Sequence, residues 1–117
     1  MPNTATHGSN TELDRCIDDC YNCANSCNTT VAYCLEKGGR HANAAHIALM
    51  LDCAAICETA ASSMGRNSNA HPLICRACAD ICRKCEDDCR SFGDDPTMQE
   101  CADVCRKCAQ SCERMAA

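Results

Sequence analysis

Apolar and polar positions recur along most of this chain with the period of a helix, and cysteine occupies much of the apolar side. Cys16, Cys20, Cys23 and Cys27 are separated by 4, 3 and 4 residues, and Cys34 follows one heptad later. Cys75, Cys78, Cys82, Cys85 and Cys89 step by 3, 4, 3 and 4, and Cys101, Cys105, Cys108 and Cys112 by 4, 3 and 4. Cys53 and Cys57 stand four apart. Alternating steps of three and four define the seam of a helix packed in a bundle. All sixteen cysteines fit such seams, with one phase per segment.

The pattern predicts four helices, over Glu12–Lys37, His41–Met64, Pro72–Phe92 and Pro96–Met115. Gly38-Gly39 and Gly65 end the first two. Pro72 and Pro96 fall in first turns, where a missing N–H is harmless, and Asp95 is placed to cap the last helix. Short connections favour antiparallel neighbours. The expected fold is therefore all-α: an antiparallel up-down-up-down four-helix bundle with a cysteine-lined core over residues 12–117. A flexible N-terminal tail is expected over residues 1–11.

Extending the seams brings in other side chains. The second helix adds His46, Met50, Ala60 and Met64, the first adds Leu13 and Thr30, the third His71 and Phe92, and the fourth Met98 and Met115. In an antiparallel bundle His46, Met50 and Met98 meet at one end, with Cys34, Cys89 and Cys101 just inside and His41 nearby. Leu13, Met64, His71 and Met115 gather at the other end. Ile17, Ile47, Leu49, Ile56, Ile74, Ile81 and Val104 flank the seams, as do Ala24, Ala54, Ala79, Ala102 and Ala109. Asp18, Arg83, Lys84, Glu86, Asp87, Arg106 and Lys107 fall mainly on outer faces as solvated charge. His41 and His71 read as surface or capping residues, and His7 as incidental.

Composition changes what the seams are for. Cys accounts for 16 positions, Trp is absent, and there are only 2 Tyr and 1 Phe, so no ordinary hydrocarbon core is available. Cysteine at this density points first to a disulfide-stapled secreted domain. The polar segment from Met1 to Thr11 has no basic start, apolar run or cleavage site. No stretch is expected to reach the roughly 18 apolar residues of a membrane span. These features set the expectation of a soluble cytoplasmic protein with free thiols and no membrane partner. The net charge of −5 and the lack of a basic stripe argue against nucleic acid.

Thiolates select Cu(I), zinc or iron–sulfur clusters. Two thiols at i and i+4 lie roughly 5–6 Å apart at Cβ, which lets them converge on one two-coordinate ion. Replacing each thiol proton by one monovalent ion leaves the interior neutral. A Zn(Cys)4 site carries two negative charges, and no Lys or Arg lies on the seams to offset them. The array thus points to Cu(I), at up to about one ion per cysteine. A zinc or iron–sulfur buffer and a copper chaperone or sensor remain as alternatives. No single thiol is set beside a base, so no enzyme is expected. The metal-ligand candidates are Cys16, Cys20, Cys23, Cys27, Cys34, Cys53, Cys57, Cys75, Cys78, Cys82, Cys85, Cys89, Cys101, Cys105, Cys108 and Cys112, joined by His46, Met50 and Met98.

The stretches CIDDCYNCANSCNTTVAYC, CAAIC, ICRACADICRKCEDDC and CADVCRKCAQSC resemble the bacterial copper storage protein family, which are cysteine-rich four-helix bundles. The resemblance implies Cu(I) storage by thiolate clusters along the axis, a homotetramer, and a cytosolic location. It also implies that metal is admitted through one His- or Met-lined end, here that of His46, Met50 and Met98. The second helix departs from the pattern by carrying only two cysteines. Its outer face, with Ala44, Ala45, Ala48, Leu51 and Ala55, is apolar enough to suit a homo-oligomer.

Overall fold

A computed structural model describes residues 11–117. It contains four helices, α1 (Thr11–Lys37), α2 (Ala44–Gly65), α3 (His71–Arg90) and α4 (Pro96–Met115), with a 3-10 turn over Gly39–Ala42. The tail expected over residues 1–11 lies outside the described residues, except that Thr11 already opens α1.

Local chemistry sets the boundaries. Gly38 and Gly39 have φ of 75° and 58°, a left-handed region that a side chain disfavours, and the Gly38 N–H closes α1 onto the Cys34 carbonyl. The second helix starts three residues later than the pattern suggested. Asn43 Oδ1 accepts from the N–H groups of Ala45 and His46 at 3.0 and 3.3 Å, which fixes the N-cap and leaves His41 in the 3-10 turn. The third helix stops at Arg90, and Ser91 and Phe92 fold back on the carbonyls of Asp87, Asp88 and Cys89. Phe92 consequently lies in the turn rather than on the helix. Asp95 caps α4 as expected, accepting from Thr97 and Met98.

Each helix packs on two neighbours in the order α1–α2–α3–α4–α1. Cys34 near the end of α1 meets His46 near the start of α2, Cys57 meets Cys78, and Cys16 meets Cys112. These pairings run antiparallel, giving the up-down-up-down bundle. All sixteen cysteines are at most 1% exposed. Ala24, Ala54, Ala79, Ala102 and Ala109 are buried beside them, and the flanking Ile and Val residues are partly buried. Met50, Met64 and Met98 are the largest fully enclosed side chains.

Two polar features tie the outer seams together. Arg83 reaches Glu113 with two N–H bonds of 3.0 Å and Arg90 reaches Asp103 at 2.7 Å, both linking α3 to α4. Such exposed pairs contribute little singly. Between α1 and α4, Ser111 Oγ donates to the buried Asp19 carboxylate, which also faces Lys107 Nζ at 3.7 Å.

One expectation needs correction. By length and composition α2 is apolar enough to cross a membrane, because only Asp52 and Glu58 are charged within it. In the bundle the helix instead buries His46, Met50, Cys53, Cys57, Ala60 and Met64 and leaves Ala44, Ala45, Ala48, Leu51 and Ala55 exposed.

Asp95 gives a test of this architecture. Desolvation alone would raise its carboxyl, but hydrogen bonds from Tyr33, His41 and the Met98 and Thr97 N–H groups outweigh it and lower the pKa from 3.8 to about 2. Asp95→Ala should cost about 1–2 kcal/mol near neutral pH. A depressed carboxyl pKa stabilises fully above the unfolded value and loses that stabilisation as pH falls through the folded one. The gap between native and variant in urea unfolding should therefore shrink between pH 3.8 and about 2. A gap that is constant with pH would refute this.

Candidate metal centre

Because each helix turns a three–four seam inward, the thiols meet in layers along the axis. Their sulfurs form a continuous ladder. From Cys16 the contacts run to Cys112 (3.7 Å), Cys20 (3.5 Å), Cys108 (3.7 Å) and Cys57 (3.8 Å). They continue to Cys82 (3.6 Å), Cys53 (3.7 Å), Cys23 (3.9 Å), Cys105 (3.8 Å) and Cys27 (3.9 Å). Cys78 joins through Cys57 and Cys82. Cys75 interacts with Cys112 and Cys16, and Cys89 with Cys101 and Cys85. All sixteen thiols are free.

Four groups of four sulfurs lie within 4.8 Å of one another: Cys20, Cys78, Cys108 and Cys112; Cys23, Cys53, Cys57 and Cys82; Cys23, Cys27, Cys53 and Cys105; and Cys57, Cys78, Cys82 and Cys108. The groups overlap. Closed tetrahedral zinc sites need four ligands each, and shared sulfurs cannot complete neighbouring sites independently. Overlap instead suits an ion satisfied by two or three bridging thiolates. No Lys or Arg is buried among the described residues, so the core holds no cation to balance excess thiolate.

Protonation follows from the same packing. Hydrogen bonding with neighbouring thiols, reinforced by burial, pushes Cys27, Cys57, Cys105 and Cys108 far above the ordinary thiol range. Cys53 is pushed the other way by its bonds with Cys105, Cys23, Cys27 and Cys57. Loading such a core displaces protons, so metal and proton occupancy are linked.

Cys34 lies apart from the ladder. Its hydrogen-bond partners are His46 Nε2 at 3.3 Å and Met98 Sδ at 3.6 Å, which assembles a thiol, an imidazole and a thioether at one end of the bundle. Burial first, then the fields of Cys101, Asp95 and Asp88, push the Cys34 thiol up to about 11. His46 Nδ1 hydrogen-bonds the Asp88 carboxylate. An acceptor on Nδ1 places the proton there and leaves the Nε2 lone pair facing Cys34, as a carboxylate behind a metal-ligating histidine does. Phe92 lies 4.7 Å from the His46 ring and 4.5 Å from that of His41, centroid to centroid. A pocket of about 300 Å³ lined by Arg40, Asn43, Ala45, His46, Leu49, Asp88 and Phe92 opens over this end.

The sixteen cysteines, His46 and Met98 thus stand where the seam places them, and Met50 is fully buried on the same seam as His46. His41 is held by Asp95 at 2.8 Å, a structural contact. His71 Nδ1 donates to the Ser68 carbonyl at the start of α3, again structural. Two residues went unrecognised in the sequence. Asp88 lies in an acidic run with Glu86 and Asp87, and only its reach across to α2 distinguishes it. Thr30, unexplained by the pattern, is buried on the α1 seam between Cys27 and Cys34.

The model of a known family, described as copper storage protein, matches residues 9–117. The chain belongs to the copper storage protein family. Copper storage proteins also supply close structural matches. The Cu(I)-bound BsCsp3 superposes with a TM-score of 0.83 at 37% identity, over 91% of this chain and 99% of its own, copper storage protein 3 being from Bacillus subtilis. A cytosolic copper storage protein from Streptomyces lividans, in a form with five coppers, gives 0.82 at 30% identity, over 90% of this chain and 92% of its own. An uncharacterized cysteine-rich protein of Bacillus subtilis, YhjQ, is 38% identical over 68 residues, which are 58% of this chain and 63% of that relative. The match therefore spans less than two thirds of that curated relative's length.

Proposed function

We propose that this chain stores Cu(I) in the cytoplasm, holding many ions on the sixteen thiolates that line its axis. The carrying observation is the unbroken ladder of sulfur contacts at 3.5–3.9 Å inside a core without a buried Lys or Arg. A Cu(I) ion in place of each thiol proton keeps that interior neutral, whereas a closed four-thiolate site around a divalent ion carries two negative charges. A chaperone or sensor needs one exchangeable site, and this array is deep and redundant. The free state of every thiol supports a reducing compartment.

Cys34, His46 and Met98 form the way in, with Met50 behind them. Asp88 orients His46, and the pocket above exposes this end to solvent. Second copies of the chain pack on the exposed apolar face of α2, where Leu51 is 47% exposed beside Ala44, Ala48 and Ala55, to build a homotetramer.

Three outcomes test these statements. An anaerobic Cu(I) titration should saturate near about one ion per thiol and resist competition by Zn(II), and saturation at one or two ions would exclude storage. Replacing His46, Met50 and Met98 together by Ala should slow loading while leaving the final capacity nearly intact; unchanged rates would move the way in to the His71 and Met115 end. Leu51→Glu should convert the assembly to smaller species in sedimentation, and an unaltered native-sized particle would place the interface elsewhere.

A further inference from the structure

One buried carboxylate and one buried hydroxyl of the bundle belong to neither the ladder nor the end site. Asp19 on α1 is 5% exposed and Ser111 on α4 is 2% exposed. Ser111 Oγ donates to the Asp19 carboxylate, and Arg114 donates to the same hydroxyl oxygen at 3.3 Å. Lys107 Nζ lies 3.7 Å from Asp19 but is 68% exposed, so it offsets the buried charge only in part. Burying a carboxylate is costly, and an apolar pair in its place is often as stable or more so. The opposite margins of these two helices are apolar, with Ala24 and Val31 on α1 and Ala102 and Ala109 on α4. Stability alone does not account for the pair.

The thiol seams lack something that it supplies. Cys16 and Cys20 recur one heptad later as Cys23 and Cys27, and Cys101 and Cys105 recur as Cys108 and Cys112. Sliding α1 along α4 by seven residues, roughly 10.5 Å, sets cysteine against cysteine again. Sulfur packing by itself does not choose between these registers. Asp19 and Ser111 do. A slip one way brings Asp19 opposite Val104, one heptad before Ser111, whose side chain has no donor; a slip the other way leaves Ser26 opposite Ser111. A polar group at one position of a repeating seam fixes register in this way.

The pair also stands beside closely spaced sulfurs. Asp19 and Ser111 immediately precede Cys20 and Cys112, whose sulfurs make the closest contact of the ladder at 3.5 Å. Cys112 also touches Cys16, and Cys20 touches Cys108, both at 3.7 Å. The other polar tie along this helix pair, Tyr33 to Asp95 at 2.8 Å, lies about four turns away.

We infer that Asp19 and Ser111 are positioning residues for copper: their hydrogen bond selects the register of α1 on α4 and so holds Cys16, Cys20, Cys108 and Cys112 in mutual contact, ready to share ions. The inference rests on the storage reading above. Neither residue touches metal. Ligands fixed in advance lose less freedom when an ion arrives, so this layer binds copper more tightly than a seam free to slide.

The test withdraws copper anaerobically from the loaded full chain with bathocuproine disulfonate, beside urea unfolding of the copper-free chain. The double variant Asp19→Leu/Ser111→Ala replaces the pair with apolar groups. It should keep native stability or exceed it and bind the native number of ions. Part of that copper should nevertheless leave at about tenfold less chelator. Ser111→Thr keeps the hydroxyl and should match the native withdrawal curve. Ser63→Ala should match it too, since Ser63 is a buried serine whose hydroxyl has no hydrogen-bond partner among the described residues. A native curve for the double variant, or an equal loss of copper in Ser63→Ala, would overturn the inference. So would a loss of affinity that only accompanies a loss of stability, the mark of a plain fold contact. If circular dichroism shows the double variant unfolded, the curves of Ser111→Ala and Ser111→Thr decide, and coincident curves overturn the inference. A native chain that takes up only one or two ions would refute the storage reading instead.

Discussion

The contact on which this bundle depends is sulfur against sulfur. Each helix turns Sγ atoms to a common axis, where they sit 3.5–3.9 Å apart, close enough to pack and to exchange weak S–H hydrogen bonds. A buried cysteine behaves as a small hydrophobe, so the protonated core is both dry and neutral. The same atoms become strong soft-metal ligands on losing their protons. Packing and chemistry are thus carried by one atom type. This is why the helices need no Lys or Arg inside, and why a monovalent ion can replace a proton without introducing net charge.

That economy has a structural cost. A thiol buries less apolar surface than Leu, and burial contributes in proportion to area. The bundle compensates at its margins. Met50, Met64 and Met98 fill the volume near the ends, and Ile17, Ile47, Ile56, Ile74 and Ile81 pack along the flanks. Alanines between the seams let the helices approach closely. The exposed Ala and Leu face of α2 extends the same logic outward, since an apolar helix with one unburied face is best satisfied by another copy of itself.

Function is graded along the axis. The middle is redundant, with overlapping groups of four thiols, so no single cysteine there is indispensable. The end is specific: one thiol, one imidazole oriented by Asp88, and one thioether, beneath Phe92 and an open pocket. Redundancy suits capacity, and specificity suits traffic.

The sequence by itself determined the helices, their inward faces and the metal class, because a three–four cysteine spacing has one geometric meaning and thiolate chemistry is a property of the residue. Cys16 to Cys112 could be placed on the axis from spacing alone, and His46 and Met98 assigned to one end from antiparallel order. Tertiary structure decided what depends on distance between helices. Spacing on α3 cannot show that Asp88, rather than Glu86 or Asp87, meets His46 on α2. Nor can it show that Asn43 delays α2 and sends His41 to Asp95. Hydrogen bonds between helices depend on register and side-chain reach, and a periodic pattern carries neither.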